Sequence, residues 1–131
     1  MWAEIERFFQ SYAAAYNAGD AAAVARHISA PSLLIEKTTA VWSTDADVLS
    51  AMNRLLESYR AGGFVSSHFA LEQVVEQGRN DAVVEVAWTL ERRDAPPWQF
   101  RTGYNLHGAD GIWRIVVCTA YQETAARQRA G

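Results

Sequence analysis

MWAEIERFFQSYAAAYNAGD, residues 1–20, decides how the rest of this chain is read. Apolar residues fall at Trp2, Ile5, Phe9, Tyr12 and Tyr16, the alternating spacing of one helical face. Phe8 and Ala15 widen the stripe, while Glu4, Glu6, Arg7 and Gln10 fall mostly on the other side. Asn17-Ala18-Gly19-Asp20 then reads as a stop and a restart. Gly19 can take the left-handed conformation past a helix end, and Asp20 can accept the free N–H groups of a following helix. An amphipathic helix of about four turns therefore ends in a tight corner. A stripe of large aromatics needs a large apolar surface to lie against.

The second half of the chain supplies that surface. After Gly62-Gly63 the apolar period changes from helical to alternating. Phe64–Gln77 reads as a strand with Val65, Ser67, Phe69, Leu71 and Val75 on one face. Ala82–Arg93 follows, with Ala82, Val84, Val86, Trp88 and Leu90 on one side. Asp94-Ala95-Pro96-Pro97 reads as a turn. Trp98–His107 then sets Trp98, Phe100, Thr102, Tyr104 and Leu106 together. Ile112–Gln122, apolar on both faces, reads as a central or interface strand.

Between helix one and this meander lie three shorter pieces. A second helix spans about Asp20–Ile28 and is expected to end at Pro31. Ser32–Glu36 and Thr39–Trp42 form a small ribbon. A third helix begins at Thr44, with Asp45 and Asp47 in the first turn where the helix dipole favours negative charge. Its inner face is Val48, Met52, Leu55 and Tyr59, with Leu49 and Leu56 beside them. A twisted antiparallel sheet curls, and amphipathic helices can cover its hollow. The expected fold is α+β: three N-terminal helices packed in the concave face of a curved, mostly antiparallel sheet. Residues 1–124 form one domain and 125–131 a polar tail.

Composition narrows the function. The 131 residues carry a net charge of -3, so no basic field attracts nucleic acid. No apolar run approaches membrane-spanning length. The start lacks the basic region and apolar run of a signal peptide. The single cysteine, Cys118, excludes an intramolecular disulfide and fits a reducing compartment, so a cytoplasmic location is expected. His27, His68 and His107 are scattered without ligand spacing, so no metal is expected.

The run Tyr12-Ala-Ala-Ala-Tyr-Asn-Ala-Gly-Asp20 resembles the start of the nuclear-transport-factor-like superfamily, cystatin-like cones that include ketosteroid isomerases, polyketide-cyclase-like (SnoaL-like) proteins and scytalone dehydratase. The final hairpin, Tyr104 to Val117 with Asp110-Gly111-Ile112-Trp113-Arg114-Ile115-Val116, resembles that family's last two strands. The resemblance covers nearly the whole chain. It implies the fold more than the chemistry, because the superfold hosts many functions. Carried over from the isomerases, the oxyanion-donating tyrosine falls on Tyr12 and the carboxylate base on Glu36. The second, acidic oxyanion donor has no equivalent: Thr102 stands near that place, beside Gly103 and Tyr104. The resemblance also implies a homodimer through the outer sheet face, near His68, Ala70, Val83, Ala87, Val116 and Cys118.

The candidate catalytic pair is Tyr12 and Glu36. Ser32, Leu34 and Glu36 share one face of their strand, and a carboxylate inside an apolar cavity would be suited to proton shuttling. The candidate ligand contacts are Tyr16, Trp42, Tyr59, Trp88, Phe100, Thr102 and Tyr104. They either wall a pocket or fill a core. His27, near the expected mouth, is a weaker catalytic candidate, and its alternative role is a cation at a helix C-terminus. Cys118 reads as a buried, unreactive thiol. Two functions stay open. One is a small hydrophobic-ligand-binding cone, without cofactor, that catalyses isomerisation, dehydration or cyclisation of a carbonyl compound. The other is a non-catalytic dimeric binding or protein-association domain.

Overall fold

The computed structural model describes residues 1–121. The order of elements is α1 (Trp2–Asn17), α2 (Ala21–Ala25), β1 (Ile28–Ile35), β2 (Thr39–Trp42), α3 (Asp45–Ala61), β3 (Phe64–Gln77), β4 (Asp81–Arg92), β5 (Ala95–Ala109) and β6 (Ile112–Thr119). The expected polar tail, and Gln122 at the end of the last expected strand, lie outside the described residues.

The α1 corner forms as its residues dictate. Gly19 takes φ +66°, and the Asp20 side chain accepts the Ala23 N–H at 3.0 Å. Thr44 opens α3 with a reciprocal capping box. Its hydroxyl accepts the Asp47 N–H at 3.2 Å, and the Asp47 carboxylate accepts the Thr44 N–H at 3.1 Å.

All six strands form one curved sheet in the order β2-β1-β6-β5-β4-β3. The expected ribbon and meander are thus joined: β1 runs parallel to β6, with Leu34 opposite Cys118. That pairing makes β6 a central strand and explains its apolar residues on both faces. The inner residues of β4 and β5 alternate as expected, and Leu90 pairs with Trp98, Trp88 with Phe100 and Val84 with Tyr104.

The structure corrects several boundaries. Pro31 lies inside β1 rather than ending α2. Pairing with β6 lapses between Ile28 and Leu33, which accommodates a residue without an N–H to give. Pro96 and Pro97 belong to β5, and the turn is confined to Arg93 and Asp94, the latter at φ +58°. Irregularities at the start and in the middle of β3 shift its side-chain phase, so Phe64 and Val74 turn inward while Val65 and Val75 stay 53% and 44% exposed. The same effect in β6 puts Val117 opposite outward Asn105 and Cys118 opposite inward Tyr104. Cys118 is therefore not on the outer face. Trp2 is half-exposed and falls outside the packed stripe, while Met1 packs against the core.

α1 lies in the sheet's hollow. Phe9 is fully buried, with its ring 5.0 Å from that of Tyr104 and 6.1 Å from that of Phe69. Burying such a side chain contributes roughly 2–3 kcal/mol. At the far end, Trp98 fixes the exit of α3. Its ring lies 5.6 Å from Tyr59 and 4.3 Å beneath the Arg92 guanidinium, while Arg92 Nε donates to the Gly62 carbonyl at 2.8 Å.

Candidate functional site

The helices do not fill the cone. Between α1, α3, the β1–β2 hairpin and the concave sheet lies a cavity of about 380 Å³, near the small end of the roughly 300–1,000 Å³ usual for small-molecule sites. The structure brings all nine candidate residues to its wall: Tyr12, Tyr16, Glu36, Trp42, Tyr59, Trp88, Phe100, Thr102 and Tyr104. Helical spacing puts Tyr12 and Tyr16 one turn apart on α1. Strand alternation does the same for Phe100, Thr102 and Tyr104 on β5.

The inner polar groups are neutral, and four of them pair off. The Tyr12 and Tyr16 hydroxyls lie 3.1 Å apart, and the Tyr16 hydroxyl is 4.0 Å from Met52 Sδ. Trp88 Nε1 donates to the Tyr104 hydroxyl at 2.9 Å, which leaves the phenolic proton of Tyr104 to donate elsewhere. Burial pushes the Tyr12 phenol well above its ordinary pKa, helped by the nearby Tyr16, Tyr104 and Cys118. Burial does the same for Tyr104, with Cys118 and Tyr16 adding to it and the Trp88 hydrogen bond opposing it. Both phenols stay protonated at neutral pH.

Charge is confined to the rim. Glu36 and Arg54 are the charged residues of the cavity wall, and both are exposed. Glu36 sits in the bend after β1, so it meets water at the mouth rather than a dry interior. Among the described residues no carboxylate lines the interior.

His27 does not line the cavity. Its Nδ1–H donates to the Ala23 carbonyl at 2.8 Å, which leaves Nε2 to accept the Ser11 hydroxyl at 2.8 Å. Burial lowers its pKa. The Ala23 carbonyl opposes that shift and Arg26 adds to it, so the ring is neutral and is not a helix-capping cation. His107 is not among the wall residues and sits beside Asp81 at 2.7 Å, both side chains about half-exposed.

Sequence reading missed five wall residues of consequence. Met52 and Leu55 carried a signal as inward positions of α3 but were read as core. Ser32 carried one as the face-mate of Glu36. Arg54, on the polar side of α3, carried none. Cys118 was hidden by the irregularity in β6.

A cone of this kind, with helices in a sheet's hollow and a residual cavity, defines a class before it defines a protein. Residues 3–123 match the family described as NTF2-like protein (DUF6841), and the chain belongs to that family. No curated protein matches the sequence. Solved structures match the fold at low identity. An NTF-2 like protein of unknown function from Shewanella oneidensis is 17% identical, with TM-score 0.75 over 90% of this chain and 96% of that one. A ketosteroid isomerase-like protein from Erwinia carotovora is 19% identical, with TM-score 0.68 over 91% and 93%. A protein from Thiobacillus denitrificans whose name assigns it to the calcium/calmodulin-dependent protein kinase type II association domains is 17% identical, with TM-score 0.72 over 88% and 92%. At these identities the likeness is one of fold. No described helix is long and apolar enough to cross a membrane.

Proposed function

We propose that the protein binds a small, uncharged, hydrophobic molecule in its cone. The observation that carries this reading is the division of the cavity wall. Aromatic and neutral hydrogen-bonding groups line the interior, and Glu36 and Arg54 stand only at the rim. A charged ligand group would be desolvated inside without a partner, which is costly. A neutral carbonyl or hydroxyl can accept from Tyr104 while Trp42, Phe100 and Tyr59 contact its hydrocarbon. No cofactor enters this reading. The sole cysteine supports a cytoplasmic setting. The test uses Cys118 on the cavity wall: a bound neutral ketone or phenol should slow its modification by N-ethylmaleimide. Saturating compounds that leave the rate unchanged would count against the reading.

The second reading is proton transfer on a carbonyl compound, with Tyr12 as hydrogen-bond donor and Glu36 as base. It is supported by the presence of both side chains on one cavity wall. Because Glu36 is exposed, the substrate itself must cover the carboxylate. Glu36→Gln should then abolish turnover and spare binding.

For assembly, we propose a homodimer through the outer sheet face. Half-buried Val83, Ala87 and Val117 support it as apolar residues set among Glu85, Arg101 and Asn105 on that face. Val117→Arg should lower the sedimentation coefficient to that of a monomer.

A further inference from the structure

We propose that Ser32 is a second hydrogen-bonding anchor of the cavity, and that the ligand is an uncharged molecule with two oxygen functions on one hydrocarbon frame. This deepens the ligand-binding reading above and rests on it. Ser32 is 4% exposed and lies on the cavity wall. Among the described residues its Oγ is the one buried side-chain nitrogen or oxygen without a hydrogen-bond partner. Folded proteins rarely leave such a group unmatched, because its lost hydration is not replaced.

The fold explains why Ser32 finds no internal partner. Pairing of β1 with β6 lapses between Ile28 and Leu33. Ser29, in that same gap, uses the carbonyls there: its hydroxyl lies 3.2 Å from the Ile115 oxygen and 3.3 Å from that of Pro31. Ser32 instead lies on the cavity wall with Ile28, both buried.

The register then separates Ser32 from Tyr104. Tyr104 pairs with Cys118, and Cys118 with Leu34, two residues beyond Ser32. Two strand spacings and a two-residue rise put the Ser32 and Tyr104 Cα atoms about 12 Å apart. Because the two anchors stand on strands two apart in the sheet, a ligand with two oxygens on one hydrocarbon frame can pair with both, with Met52 and Ile115 among the wall residues it would pack against.

The test compares 4-phenylcyclohexanone, which has one oxygen, with 4-(4-hydroxyphenyl)cyclohexanone, which has two. Binding to wild type and to Ser32→Ala is measured by calorimetry. The added hydroxyl should tighten binding to wild type about tenfold, the effect of one good hydrogen bond, and should give nothing in Ser32→Ala. The one-oxygen ketone should bind both proteins alike. An equal gain in both proteins, or no gain in wild type, overturns the proposal. Thermal unfolding without ligand is the second measurement. Ser32→Ala should melt at the same temperature or higher, and a lower Tm would mean that the hydroxyl already has a partner in the fold. Binding of neither compound overturns the two-oxygen class. The broader ligand-binding reading fails separately, if saturating neutral ketones and phenols leave the rate of Cys118 modification unchanged.

Discussion

Asn17 closes the free edge of the sheet by gripping the backbone of Ser67. Its Oδ1 accepts the Ser67 N–H at 2.7 Å and the Ser67 hydroxyl at 2.8 Å, and its Nδ2 lies 3.5 Å from the Ser67 carbonyl. β3 is an edge strand, so the carboxamide stands where a neighbouring strand's peptide would. The last residue of α1 thereby fixes how deep the helix lies in the cone, and with it the places of Tyr12 and Tyr16 on the cavity wall.

Asn17→Ala should lower stability by about 1–2 kcal/mol, the net worth of one or two such bonds. Asn17→Asp keeps the acceptor and should lose less. Urea unfolding of the three proteins checks the order, and equal stability of wild type and Asn17→Ala would show the clamp to be inert.

Gly62 is closed to any side chain. A Cβ there would lie 2.3 Å from Trp98 Cη2, and Trp98 is buried. Gly62→Ala should cost about 1–3 kcal/mol by overpacking, despite the usual gain from a stiffer unfolded chain. Adding Trp98→Phe should recover part of that loss, because the smaller ring vacates the contested space. Denaturation midpoints of the single and double variants measure the recovery.

Tyr104→Phe removes the acceptor from the buried Trp88 Nε1. A loss of about 1–3 kcal/mol is expected. Its size should shrink in a Trp88→Phe background, where no N–H is left stranded. An undiminished loss would mean that the hydrogen bond does not couple the two rings.

His27, partly buried, and the buried Tyr12 and Tyr104 contribute to stability at opposite ends of the pH range. His27 has a folded pKa below its ordinary value of 6.5, so the unfolded chain takes up the proton first. Stability from this group is intact above pH 6.5 and is lost as pH falls through that value toward the folded pKa. His27→Gln should flatten that part of the curve. Tyr12 and Tyr104 have folded pKa values raised above 10.0, so their contribution is intact below that pH and is lost as pH rises beyond it. Tyrosinate absorbance should therefore report these two phenols only as the protein unfolds. Their smooth titration in the folded protein would contradict the burial described.

Much of this was legible because burial enforces periodicity. The α1 stripe, the Gly19–Asp20 corner, the Thr44 cap and the alternation of β4 and β5 each tie one residue pattern to one local geometry. The failures share a cause as well. The irregularities in β3 and β6 arise from pairing with strands distant in sequence, and each reverses the faces of the residues beyond it. Val65, Val75 and Cys118 were misplaced for that reason. The parallel pairing of β1 with β6 is equally non-local, and Pro31 hid it. Asn17 was read as part of a helix stop because its partner lies fifty residues away. Glu36 was placed by counting, and counting does not show that β1 ends one residue earlier, in a solvated bend.

The most direct measurement uses Met52. The chain has two methionines, Met1 and Met52, and only Met52 lines the cavity. Methyl-labelled methionine gives two carbon–hydrogen NMR signals, to be followed while neutral two-ring ketones and phenols are titrated. The Met52 signal should move saturably while that of Met1 stays still. A Met52 signal indifferent to every compound, or a Met1 signal that moves equally, would contradict the claim that this cone holds a ligand.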